Sequence, residues 1–293
     1  MDIIEKVEQR LSLYASKSTV LSRKSILSQF FLHAGEKEDY TEDDAISFLN
    51  WAKNHYKGTS INHVYASLRW FYRQVLKKDL QLKPPEPDYD SIEAVPLSRK
   101  DVIRLILATK FIDDPMIRTF VALSTIYGAR RKEMADLTPE DVDIERRKIF
   151  IKTAKSGRDT WRWMYLPDEI VPVMEEFKKN YRKIHLSGVS VAFWAVLRKA
   201  GVDPETRRVG WHMVRRRLII ELTKTGLSDY QIVRFMRWKR KDAVSSILYR
   251  YRQSEPDEEL IEGVDKEVMK VHPFLKYWEL VHGNKNTPAE RNS

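Results

Sequence analysis

The feature that most constrains this chain is a break in its pattern. From Lys78 to Pro96 the sequence loses all periodicity, and residues 82–96, LKPPEPDYDSIEAVP, hold four of the chain's 12 prolines. Proline lacks an N–H and fixes φ, so neither a helix interior nor a central strand runs through such a stretch. The chain is therefore expected to fold in two parts. Residues 1–80 form a helical N-terminal domain, 81–96 a linker, and 97–252 a second domain, followed by a C-terminal tail at 253–293. A chain of 293 residues has room for two cores.

Before the break the spacing is helical. Ile3 to Tyr14 is a short amphipathic piece, and Thr19 to His33 carries Leu21, Ile26, Leu27, Phe30 and Phe31. Thr41-Glu42-Asp43-Asp44 is capping-box-like and starts a helix at Asp44 running to Tyr56. Ser60 caps a fourth helix with Ile61, Val64, Tyr65, Leu68, Phe71, Tyr72 and Val75 at helical intervals.

After the break, Ser98 with Asp101 caps a helix to Thr109, and Asp114-Pro115 opens one to Tyr127. Gly128 interrupts, and helical spacing resumes from Arg131 to Leu137. Lys148 to Thr153 and Arg162 to Leu166 alternate like two strands about the turn Lys155-Ser156-Gly157. Helices are expected from Pro167 to Tyr181, Ser190 to Lys199, Trp211 to Thr225, Ser228 to Met236 and Asp242 to Tyr251. The tail has an acidic segment, Glu255 to Glu267, and an aromatic one, Pro273 to Val281. The fold class is mainly α, with a small antiparallel β-hairpin or sheet in the second domain.

Composition excludes some chemistry. There are no cysteines, so disulfides, thiolate metal sites and a cysteine nucleophile are ruled out. No window approaches the ~18 uninterrupted apolar residues of a spanning helix, and Met1 to Leu11 does not resemble a signal peptide. A soluble, cytoplasmic protein with no membrane partner is expected. Net charge is +10, which points to a polyanionic partner, nucleic acid before membrane. From Glu205 to Arg252 there are 13 lysines and arginines against 4 acidic residues, so binding to a polyanion should weaken steeply with salt.

Five small constellations lie in the second domain. Tyr127-Gly128-Ala129-Arg130-Arg131-Lys132-Glu133 spaces Arg130 and Glu133 so that a carboxylate can orient a guanidinium. His212 and Arg215 share a helical face and can both donate to one phosphate. Lys155 sits at the tip of the expected hairpin, where a proton donor could reach a ligand. Trp238 precedes Lys239-Arg240-Lys241 and can donate from its indole nitrogen. Tyr249 and Tyr251 close the segment. Each alone is more simply a surface pair, a polar turn or a packing residue. Together they suit phosphodiester transesterification. Cationic donors offset transition-state charge, a tyrosine attacks, and an acid protonates the leaving oxygen. No metal or cofactor is needed.

In these residues the sequence resembles the tyrosine recombinases, the phage-integrase and Xer-like group. Tyr127 to Glu133, with Leu137 and Asp141, is similar to that family's first-arginine box. Gly210-Trp211-His212-Met213-Val214-Arg215 looks like its His-x-x-Arg box, and Ser245-Ser246-Ile247-Leu248-Tyr249 like its Thr-Thr-x-x-Tyr end. Pro96 to Val102 resembles the entry to its catalytic domain. The resemblance implies a helical core-binding domain and a catalytic domain that clamp double-stranded DNA. It implies a site-specific recombinase, a tetramer on DNA and a monomer or dimer when free. Arg130 and Arg215 would hold the scissile phosphate, with Lys155 as general acid and His212 assisting. Trp238 would stand where the family more often has a second histidine. Tyr249 would form a 3′-phosphotyrosyl bond. Two departures matter. The loop from Lys239 to Val244 is about two residues longer than the family's, which leaves Tyr251 as a rival nucleophile. Lys152 is a rival to Lys155, though it lies within the strand. The alternatives are relaxation of DNA like a type IB topoisomerase, or a catalytically inactive DNA-binding accessory. The tail could dock on a neighbouring subunit or pack on its own domain.

Overall fold

A computed structural model describes residues 3–14, 17–37, 39–56, 60–86, 96–153, 162–203, 210–238 and 258–283. The chain divides into two compact units, Met1–Glu93 and Ala94–Ser293.

The first unit is built from α1 (Ile3–Tyr14), α2 (Lys17–Ala34), α3 (Glu42–His55) and α4 (Ser60–Phe71), the last running into a π-helical turn at Tyr72–Leu76. Thr41 and Asp44 do form the expected capping box: the Thr41 N–H donates to Asp44 Oδ2 at 2.9 Å. The helix therefore begins at Glu42, two residues before the expected start. The core is aromatic. Phe30 is fully buried, with the rings of Phe31, Tyr40, Phe48, Phe71 and Tyr72 all within 6.3 Å, centroid to centroid. Tilted and edge-on rings fill space in a small bundle and add attraction beyond area burial. The buried Tyr72 donates its hydroxyl to the Thr41 carbonyl, which ties α4 to the start of α3.

The second unit is organised on α6 (Pro115–Ile126), capped by Asp114, whose side chain accepts from the Met116 N–H at 2.9 Å. Every residue from Thr119 to Ile126 is buried. A helix apolar on all sides belongs at the centre of a domain. Around it lie α5 (Arg99–Ala108), α8 (Val171–Lys179), α9 (Leu186–Lys199) and α10 (Trp211–Leu222). Two short helices, α7 (Arg131–Ala135) and α11 (Asp229–Phe235), complete the side that bears the candidate site. α9 begins four residues before the expected Ser190. Ser190 is not a cap; its hydroxyl bonds back to the Leu186 carbonyl at 3.2 Å, inside the helix.

The sheet has three antiparallel strands, one more than the hairpin read from sequence: β1 (Val142–Asp143), β2 (Lys148–Ile151) and β3 (Arg162–Tyr165). Val142 pairs with Ile149, and Ile149 with Met164, so one buried row crosses all three strands. β1 escapes a sequence reading because two residues show no alternation.

The tail forms α12 (Glu258–Lys270) and α13 (Leu275–His282). Val268, Met269, Phe274 and Trp278 are buried in the second unit's own core. The Trp278 indole donates to Thr125 Oγ1 at 3.0 Å, and Asp265, fully buried, pairs with Arg162 of β3 at 2.9 Å. Phe274 and Trp278 thus pack on their own chain. The expected helix Asp242 to Tyr251 lies outside the described residues. Among the described residues no helix is long and apolar enough to cross a membrane.

Because Trp278 is wholly enclosed, Trp278→Ala is expected to lower stability by about 3–5 kcal/mol in denaturant titrations. A loss below about 1 kcal/mol would show that the tail is not part of this core.

Candidate active site

The site begins at Gly128, between α6 and α7, where the backbone takes φ +56°. A side chain there would meet its neighbours: a Cβ would lie 2.7 Å from Met236 Cε and 3.3 Å from Arg215 Cγ. Only glycine lets the α6–α7 turn lie this close to α10 and to the end of α11. Two residues on, Arg130 precedes α7 in extended backbone. Glu133 folds back on it, accepting the Arg130 N–H at 2.9 Å and its Nη1 at 2.7 Å. The carboxylate caps the helix and orients the guanidinium at once, and Arg130 remains partly exposed.

Arg215 arrives from α10. It is 2% exposed, and its guanidinium donates to the Gly128 carbonyl and, at 3.0 Å, to the Met236 carbonyl. Trp238 follows α11, half in solvent, with the Arg215 guanidinium 5.8 Å from the centre of its ring. Arg130, Arg215 and Trp238, far apart in sequence, are thus brought to one place. His212 lies one turn before Arg215 but at the surface. Lys152 lies one residue past β2, not within the strand as expected, and forms an ion pair with Asp141 at 2.8 Å. Lys155, Tyr249 and Tyr251 lie outside the described residues, as do Ser245 and the loop from Lys239 to Val244.

One residue went unread in the sequence. Arg237 is fully buried, and its Nη2 donates to Glu133 Oε2 at 3.0 Å. Its Nη1 reaches the Tyr127 carbonyl at 3.2 Å. In sequence it looked like one more cation of the run Arg237-Trp238-Lys239-Arg240-Lys241. The available signal was its flanks: Phe235-Met236 before it and Trp238 after it are apolar.

Electrostatics follow from this crowding. Burial holds the Arg215 pKa down at about 9, helped by the charges of Arg237 and Arg130. At neutral pH it is still a cation. Burial also works against the charge on Glu133. The Arg237 cation and the hydrogen bonds from Arg130 outweigh it, and the carboxyl sits at about 2. Several cations packed around one carboxylate leave net positive charge facing the Arg130 opening, suited to an anion. Among the described residues no group of His, Asp or Glu side chains is placed to hold a metal ion.

No family model matches the chain. Among curated proteins it is similar to tyrosine recombinase XerA of Thermococcus kodakarensis, 28% identical over 247 residues, covering 77% of this chain and 83% of that one. Against tyrosine recombinase XerA of Pyrococcus horikoshii it is 27% identical over 263 residues, covering 79% and 88%. Among solved structures it is similar to the Tn1549 transposon integrase in complex with transposon right-end DNA. There the TM-score is 0.64 at 15% identity, covering 87% of this chain and all of that one. A lambda integrase tetramer bound to a Holliday junction matches with a TM-score of 0.63 at 14% identity, covering 84% and 79%. The fold is that of the integrase catalytic domains. Over about three quarters of its length the chain is similar to tyrosine recombinases.

The sign of the pH effect at Glu133 is fixed by its depressed pKa. Its contribution to stability is complete above the ordinary value near 4.5 and is lost as pH falls towards about 2. That contribution is of the order of 3 kcal/mol. The stability gap between wild type and Glu133→Gln is expected to shrink through this window in acid titrations. A gap constant with pH would contradict an ionised, paired Glu133.

Proposed function

We propose that this protein is a tyrosine recombinase that cuts and rejoins duplex DNA at specific sites by two transesterifications. Arg130 and Arg215 bind the scissile phosphate's non-bridging oxygens. Trp238 walls the pocket and donates from its indole. The Tyr249 hydroxyl attacks phosphorus, forming a phosphotyrosyl ester on the 3′ side. The bond to the 5′ oxygen breaks, and Lys155 supplies the proton that this oxygen takes. The proton that tyrosine loses passes to His212 or to solvent, and His212 can also donate to the phosphate. In the second transesterification a 5′ hydroxyl attacks the ester and releases tyrosine, so the bond energy is conserved and no nucleotide cofactor is consumed. The observation that carries this reading is a pair of positioned arginines, Arg130 held by Glu133 and partly open, Arg215 nearly buried and held by the Gly128 and Met236 carbonyls. Positioned donors of this kind supply the largest share of stabilisation where charge develops in a transition state.

Lys155 is preferred to Lys152 because Lys152 is engaged by Asp141. The partner is double-stranded DNA; the similar integrases are seen bound to a Holliday junction and to transposon right-end DNA. The working form is a tetramer joining two sites, with a monomer or dimer when free, in the cytoplasm.

The test is covalent capture on a pool of nicked duplexes of randomised sequence, in which the released fragment cannot be religated. Wild type is expected to form a protein–DNA adduct on a defined sequence, and Tyr249→Phe none. Arg130→Ala should cut on the order of 100-fold more slowly. An adduct that survives Tyr249→Phe and vanishes with Tyr251→Phe would move the nucleophile. Relaxation of plasmid lacking the captured sequence would favour a topoisomerase. Binding without any adduct would favour an accessory protein.

A further inference from the structure

We propose that Arg237 is a positioning residue of the phosphate site, linked to Arg130 through the carboxylate of Glu133 and to Arg215 through its own main chain. The inference rests on the reading of Arg130 and Arg215 as phosphate ligands.

Arg237 is an improbable residue for its place. Its backbone is left-handed, φ +56°, a conformation natural to glycine and strained for a long side chain. Its guanidinium is wholly enclosed, and its Nε has no hydrogen-bond partner among the described residues. Buried ion pairs of this kind contribute little net stability against an apolar replacement. The left-handed turn by itself would be served by glycine.

What Arg237 does instead is connect. Its side chain reaches across from the end of α11 to Glu133, and Glu133 holds both the main chain and the guanidinium of Arg130. Its main chain sits between the two residues that meet Arg215. The Met236 carbonyl accepts from Arg215 Nη2, and the Trp238 ring faces the Arg215 guanidinium. The left-handed turn at Arg237 sets the direction in which Trp238 leaves. A displacement of Arg237 therefore moves Arg130 through one link and the Arg215 contacts through another. Being buried, Arg237 is shut off from DNA and acts only through these neighbours. Geometry matters at this scale, since a shift of about 1 Å in a catalytic group can cost about 100-fold in rate.

The experiment uses the full-length protein and the duplex captured by wild type. Arg237→Gly keeps the left-handed turn and removes the guanidinium. It is expected to slow adduct formation about 10- to 100-fold while leaving the Kd for the same duplex within about twofold. Arg237→Lys, which keeps a cation beside Glu133, should recover part of the rate. In a Glu133→Gln background, Arg237→Gly should slow cleavage by less than about threefold, because the link is already broken. Cleavage at the wild-type rate by Arg237→Gly overturns the proposal. So does an equal loss in both backgrounds, which marks an independent structural role. If Arg237→Gly does not fold, the same comparison with Arg237→Lys decides: its loss must shrink in the Glu133→Gln background. Wild-type cleavage by Arg130→Ala would instead refute the reading of the phosphate site, and this inference with it.

Discussion

Everything at the candidate site depends on one buried carboxylate. Glu133 has its side chain sealed from solvent, and it is stable as an anion there only because guanidinium groups surround it. Arg130 approaches from the same short helix, one turn away. Arg237 approaches from another element more than 100 residues later. Remove the carboxylate and the cations repel; remove the cations and the carboxylate cannot remain charged. Local chain geometry then serves this contact. Gly128 gives the room, the extended backbone at Arg130 caps α7, and Met236 fills the space a side chain at 128 would take.

The arrangement also separates two tasks that arginines perform. Arg237 is enclosed and bonds to protein. Arg215 is nearly enclosed and bonded to two carbonyls, so its orientation is set before any ligand arrives. Arg130 keeps an open side. Pre-setting donors in a poorly solvated place is costly for stability and useful for binding developing negative charge. At the start of β3, Arg162 pairs with the buried Asp265 and so ties the C-terminal helices to the domain core.

Much of this was legible in the sequence, for stated reasons. Helices with a polar cap and a regular apolar stripe, such as α3 after Thr41 or α6 after Asp114, announced their starts within two residues. Arg130 with Glu133, His212 with Arg215, and Trp238 were picked out by spacing and by resemblance to a family. Three features were hidden. β1 is too short to alternate. α9 starts early because its first turn, Leu186 to Val189, contains Gly188, which reads as loop. Arg237 was lost in a basic run, because burial is a tertiary fact and its apolar flanks are only a faint local signal. The expectations at Lys155, Tyr249 and Tyr251 stand as proposals about residues outside the described structure.

The central claim is that Arg130, held by Glu133, and Arg215, held by the Gly128 and Met236 carbonyls, form a phosphate site. A crystal structure with orthovanadate tests it most directly, since a pentacoordinate vanadate mimics phosphorus under attack. The expected result is vanadate oxygens within hydrogen-bond distance of both guanidinium groups, with Trp238 beside them and Glu133 still paired to Arg130. Vanadate bound elsewhere, with Arg130 turned away from the cluster opening, would contradict the account.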